Sequence, residues 1–201
     1  MHRHETQASP DQVKTPELPS AVDPSEIQTI RDGAGPLFHR RYAIRIRDAR
    51  MSPEELIERI GADPNVVAPT EFARFIKVAG EDARMSVGDE FTVRMPGPWD
   101  GPVRVVEAGP CSFRFATLEG HLEAGQIEFR ARADDCDVIF EIESWARSGD
   151  RLSSLLFDRL PLAKEVQLHM WTSVLERAVR LAGGQRKGRT RIETERIQLD
   201  D

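Results

Sequence analysis

Tyr42, Ile44 and Ile46 alternate with Arg41, Arg45 and Arg47, the period of a strand with one wet face. Ser52-Pro53-Glu54-Glu55 follows. Serine accepts from the first free amides of a helix, proline fits its first position, and Glu55 completes a capping box. The helix predicted there carries Leu56, Ile57 and Ile60 and ends at Gly61. Asp63-Pro64 predicts a second short helix stopped by Pro69, and Phe72 to Val78 reads as a strand.

Strand and turn signals then alternate every few residues. Phe91, Val93 and Met95 form one apolar set, followed by Val103 and Val105, then Phe113 and Phe115. Ile127, Phe129 and Ala131 form the next, and Val138, Phe140 and Ile142 the last. Pro96-Gly97-Pro98, Asp100-Gly101-Pro102, Gly109-Pro110 and Ala133-Asp134-Asp135 separate them. Connections this short join antiparallel neighbours, so the stretch predicts a meander of about six strands. Asp150 is placed as the cap of a segment holding Leu152, Leu155, Leu156 and Leu160, which Pro161 ends or kinks. A longer helix is expected from about Leu162 to Ala182, with Val166, Met170, Val174, Ala178 and Leu181 along one stripe. Trp171 and Leu175 widen that stripe, and Gly183 suits a left-handed C-terminal cap.

The expected fold class is therefore α+β. Its order is one strand, two helices, six strands and a long helix, with a curved antiparallel sheet of about seven strands around that last helix. Residues 1–36 contain Pro10, Pro16, Pro19, Pro24 and Pro36 and scarcely any aromatic side chain. They read as a disordered or loosely draped extension. Residues 37–184 form the expected domain, and 185–201 read as a flexible tail in which Ile192, Ile197 and Leu199 are the residues able to dock.

The chain has 201 residues, with 28 Lys+Arg against 34 Asp+Glu and a net charge of −6. A dedicated nucleic-acid binder carries a basic excess, so no nucleic-acid partner is expected. Cys111 and Cys136 are too few to staple the domain and have no zinc spacing. The N-terminus lacks the apolar core of a signal peptide, and no run approaches the roughly 18 apolar residues of a membrane span. These observations predict a cytoplasmic protein. His2, His4, His39, His121 and His169 show no convergent spacing, and no phosphate loop or nucleophile elbow is present. Neither metal nor cofactor is expected.

Several motifs point to a known family. They are Gly35-Pro36-Leu37-Phe38-His39-Arg40-Arg41-Tyr42, Val87-Gly88-Asp89-Glu90 and the run from Pro96 through Trp99-Asp100-Gly101 to Val105. Thr117-Leu118-Glu119-Gly120-His121-Leu122-Glu123-Ala124-Gly125 is the distinctive piece, with Ser144-Trp145-Ala146-Arg147 and Pro161 to Gln167 beyond it. Over residues 35–184 the chain resembles a largely bacterial domain-of-unknown-function family (DUF1990, related to UPF-type plant proteins). That family lies within the START-like (SRPBCC) helix-grip superfamily. The resemblance implies a fold and a cavity and brings no established activity.

One helix cannot fill the whole hollow of a curling sheet, so space for a small hydrophobic or amphipathic molecule is expected between them. Its expected lining is Phe91, Val93, Met95, Phe113, Phe115, Ile127, Phe129 and Phe140, with Met170 and Trp171 from the helix. Trp99 and Trp145 are expected to frame it. His121, between two glycines and beside Glu119 and Glu123, is the candidate proton-transfer group, with Glu123 as its carboxylate partner. The competing expectation makes His121 a loop residue that fixes its turn. Arg45, Arg94, Arg104, Arg114, Arg130 and Arg132 share an outward phase with Glu107, Glu128, Glu141 and Glu143. They read as cross-strand ion pairs on a solvated face rather than a phosphate stripe. The leading expectation is a ligand-binding module. The alternatives are a cyclase- or hydratase-like enzyme working by acid–base chemistry, and a module whose tails recruit a protein partner.

Overall fold

The computed structural model describes residues 2–81, 84–95, 100–149 and 161–199, with the backbone alone for 161–166. Trp99 and the segment beginning at Asp150 lie outside the described residues, as does the side chain of Val166.

The capping signal at Ser52 opens α1 (Pro53–Ala62) as expected. The Ser52 hydroxyl accepts the Glu55 amide at 3.2 Å and the Glu55 carboxylate accepts the Ser52 amide at 2.8 Å. The second short helix shrinks to a single 3-10 turn, Pro64–Val66. The long helix α2 spans Pro161–Leu181, and Gly183 takes the left-handed conformation (φ +67°) that stops it.

Among the described residues nine strands form one sheet: β1 (His2–Ala8), β2 (Ala34–Arg47), β3 (Arg74–Ala79), β4 (Glu90–Arg94), β5 (Asp100–Ala108), β6 (Ser112–Thr117), β7 (Glu123–Asp134), β8 (Asp137–Ser148) and β9 (Gln185–Ile197). Their order is β1-β9-β2-β8-β7-β6-β5-β4-β3. The predicted meander is the continuous antiparallel run from β3 to β8, closed against β2. Register shifts interrupt several pairings, the device by which strands bend. One face carries Tyr42, Ile44, Ile46, Phe140, Ile142 and Phe129 and packs on α1 and α2 through Leu56, Ile60, Val174, Leu175 and Ala178.

Both ends of the chain differ from expectation. Residues 185–197 are not a flexible tail but an internal strand, antiparallel to β2 and parallel to β1. Ile192 joins the helix-side core, and Ile197 packs with Leu37 and Trp145 on the outer face. Without β9 the long strand β2 would present an open edge. The sheet is thus mixed and has two strands more than expected.

The N-terminal segment is likewise placed. Its first residues form β1, and Val22 and Ile27 bury against Val106, Ala116 and Leu118 on the outer face. Arg104 donates to the carbonyls of Asp23 and Ser25 at 3.1 and 2.8 Å, and Arg147 to those of Ile30 and Gly35. The side-chain amide of Gln126 donates to Pro16. The segment needs few apolar residues of its own because the sheet supplies both the apolar surface and the donors.

His39 ties β9 to the rest. Its Nδ1 lies 2.7 Å from Glu195 of β9 and its Nε2 2.6 Å from Glu143 of β8, with the ring stacked on Trp145. Burial opposes the imidazolium, but the two carboxylates outweigh it and raise the pKa above 6.5. Burial also opposes the Glu143 carboxylate. Hydrogen bonds from His39 and Arg41 and the Arg130 charge overcome that and hold Glu143 at about 2. A raised histidine contributes stability below 6.5 that is lost as pH rises through its folded value. A lowered carboxylate contributes above 4.5 and loses it as pH falls toward 2.

His39→Gln should therefore flatten the stability loss that begins as pH rises above 6.5, read from urea midpoints against the unsubstituted chain. An unchanged slope would mean that His39 does not clamp β9. Truncation after Gly184 should lower the melting temperature by roughly 10 °C or more. Two buried isoleucines contribute about 1.5–3 kcal/mol each, and each kcal/mol moves a chain of this size by about 2–4 °C. A truncated chain with an unaltered melting temperature would return the segment to the status of a tail.

Candidate functional site

Strand alternation sends two successive cross-strand rows toward the helices. The first runs Tyr42, Ile142, Phe129, Phe113 and the second Arg40, Ser144, Ile127, Phe115, each crossing β2, β8, β7 and β6. Both rows are polar at the β2 end and aromatic at the β6 end.

At the aromatic end the rings pack on one another. Phe113 stacks on Phe129 with centroids 5.0 Å apart, and Phe75 stacks on Phe115 at 6.0 Å. Phe91 meets Phe115 edge-on at 5.6 Å, and Trp171 of α2 meets Phe129 edge-on at 5.8 Å. A cavity of about 10 Å³ remains, lined by Ile60, Val67, Phe75, Phe113, Phe129 and Trp171 among others. That is about the room of one water molecule. Where the sequence predicted a roomy interior, the described side chains around this cavity leave little space, because Phe75 of β3 and Trp171 of α2 add two rings to those of β4, β6 and β7.

The candidate lining residues divide accordingly. Phe91, Phe113, Phe115, Phe129 and Phe140 are buried in the helix-side core, and Val93, Ile127 and Trp171 pack on it half-buried. Met170 is half-buried on α2, and Met95 lies beside Gly101. Trp145 is a correction. Its neighbours Ser144 and Ala146 take the helix-side phase, so the indole lies on the outer face with Leu37 and Ile197.

At the polar end, Arg40 is 8% exposed yet makes no hydrogen bond among the described residues. Its guanidinium sits 4.5 Å above the Phe38 ring and 3.9 Å from the Glu123 carboxylate. Glu123 in turn accepts the side-chain amide of Gln167 of α2 at 3.2 Å. The Tyr42 hydroxyl shares this field. Burial raises its pKa, the Arg40 charge opposes the rise and the Glu123 charge adds to it. Sequence reading passed over Arg40, although it shares the two-residue phase of Tyr42, Ile44 and Ile46. An arginine in phase with a buried aliphatic set was the available signal.

His121 sits on the turn between β6 and β7. Its Nδ1 lies 2.9 Å from the Glu123 amide nitrogen and 3.0 Å from the Glu123 carbonyl oxygen, and its own carbonyl accepts the Gln28 side chain at 3.1 Å. A side chain at Gly101 would meet Nε2 at 2.9 Å, so the ring lies directly against that glycine. Burial lowers its pKa below 6.5, partly offset by Glu123. The imidazole is committed to backbone and absent from the cavity lining, the geometry of a residue that fixes its turn. Glu123 alone of the catalytic pair reaches the helix-side polar end.

The outward arginines form the expected ion pairs, Arg114 with Glu107 at 2.7 Å and Arg130 with Glu128, Glu141 and Glu143. Arg104 and Arg114 depart from the solvated picture, being buried beneath the N-terminal segment. Among the described residues, no three His, Cys, Asp or Glu side chains stand together as a metal set, and no helix is long and apolar enough to cross a membrane.

Similar folds occur in several solved structures. KanY matches with a TM-score of 0.54 at 10% identity, covering 72% of this chain and 96% of its own. A norcoclaurine synthase point mutant from Thalictrum flavum matches at 0.52 and 7% identity, covering 74% and 96%. The di-domain aromatase/cyclase StfQ of the steffimycin biosynthetic pathway matches at 0.51 and 12%, covering 77% of this chain and 52% of its own. At such identities the likeness establishes the fold alone, a helix grip. No curated protein sequence matches the chain. Residues 70–177 match the domain of unknown function DUF1990, more than half of the 201 residues, and the chain belongs to that family.

Proposed function

We propose that this protein binds a small hydrophobic or amphipathic molecule between its sheet and α2. The supporting observation is the aromatic layer around the 10 Å³ cavity, two of whose rings, Phe75 and Trp171, are only half-buried. A ligand of ordinary size needs a few hundred Å³, and rotation of Trp171 away from Phe129 is the movement that enlarges the cavity. The norcoclaurine synthase structure, of similar fold, was determined with a transition-state analogue bound, which supports guest binding by such a scaffold. Binding is favoured over acid–base catalysis because His121 Nδ1 is engaged by the Glu123 backbone and its ring is absent from the cavity lining.

Native mass spectrometry of freshly purified protein should reveal a retained non-covalent mass. A panel of lipophilic probes, with 1-anilinonaphthalene-8-sulfonate first, should raise its melting temperature. No retained mass, no probe binding and no thermal shift would together contradict the proposal. Trp171→Ala should bind the same dye several-fold more tightly while losing about 2–4 kcal/mol of stability. Dye affinity unaltered in a folded Trp171→Ala variant would place the site elsewhere.

A further inference from the structure

Given binding between sheet and α2, the structure assigns a head-group site to Arg40, Tyr42 and Ser144, which we propose recognises the carboxylate of a flat apolar acid. The inference rests on the binding proposed above and adds the class of ligand.

The warrant is an unfinished hydrogen-bond inventory. Arg40 carries five donors in a planar fork. Among the described residues none reaches an acceptor within hydrogen-bonding distance, and Glu123 at 3.9 Å supplies charge without a bond. Leaving a buried charged group unbonded is costly, commonly more than a neutral one. Arg40 is nevertheless not sealed in, since its nitrogens are not among the buried side-chain atoms that lack both solvent and partner. Ser144, 7% exposed and directly across the strand pair from Arg40, likewise has a hydroxyl without a hydrogen-bond partner among the described residues. So does Tyr42, 3% exposed and one row along. Three donors on one patch, all incompletely used, await an acceptor.

A carboxylate fits that patch best. Its two oxygens match the guanidinium fork, and the two hydroxyls can complete its remaining lone pairs. Glu123 cancels part of the Arg40 charge, which disfavours a dianion such as a phosphate monoester and suits a single negative charge. The rest of the ligand follows from the rows. Phe129 lies two strands from Tyr42, and Ile127 two strands from Arg40, about 10 Å at ordinary strand spacing. An acid held at Arg40 therefore lays its body against Phe129, Phe115 and Trp171, whose packed rings favour a planar skeleton of that length.

Isothermal titration with 2-naphthoate and its uncharged analogue 2-naphthamide separates head group from body. On the unsubstituted chain, naphthoate should bind about tenfold or more tightly than naphthamide. Arg40→Gln should abolish that preference, weakening naphthoate at least tenfold and naphthamide by much less. Arg40→Lys, which keeps the charge but loses the fork, should retain only part of it. Equal affinities on the unsubstituted chain would overturn the head-group site and leave the wider binding proposal standing. Failure of both probes would also overturn it, while retained masses and the lipophilic panel decide the wider proposal separately. The comparison on the unsubstituted chain holds even if an Arg40 variant fails to fold.

Discussion

A nine-stranded sheet has two faces and two edges, and this chain has only two α-helices among its described residues to cover them. That shortage governs the structure. The helices take one face, through Leu56, Ile60, Val174, Leu175 and Ala178. The outer face is covered by the N-terminal segment, pinned by arginines that donate to its backbone carbonyls. β9 and β1 extend the sheet beyond β2, so that the longest strand, 14 residues, is internal. Backbone that would otherwise be unpaired is satisfied on both sides.

The same shortage explains what was legible in the sequence. Ser52-Pro53-Glu54-Glu55, the Tyr42-Ile44-Ile46 alternation and the Phe-rich meander carry their structure locally, and each appears where its pattern puts it. The terminal segments do not. β9 has few strongly apolar positions, chiefly Ile192 and Ile197, set among charged neighbours. Its place depends on the vacant edge of β2 and on the His39 bridge to Glu195, both remote in sequence. Arg104 and Arg114 read as solvated because alternation reports only which face a residue takes. Whether that face is wet depends on the N-terminal segment that crosses it.

The candidate site shows the same limit. The aromatic positions were readable, since Phe113, Phe115, Phe129 and Trp171 lie on the expected faces. The volume between them was not, because it is decided by how Phe75 and Trp171 interlock with the meander rings. Arg40 was overlooked because Arg41 beside it belongs to a wet face and the pair reads as one basic run. Trp145 was misplaced by a single residue of phase. In a sheet buried on both faces, one residue decides whether a side chain meets the helices or the N-terminal segment.

The helix-side surface therefore grades from charge and hydroxyls at Arg40 and Tyr42 of β2 to packed rings at β6. The rings pack on one another at the apolar end, and the donors at the other end are incompletely bonded among the described residues. The most direct measurement is a crystal structure of the protein soaked with 2-naphthoate. The expected result is a carboxylate within about 3 Å of the Arg40 guanidinium, with the naphthyl ring between Phe129 and a displaced Trp171. A ring seated on the outer face, or a helix-side interior unchanged with Arg40 still unbonded, would contradict it.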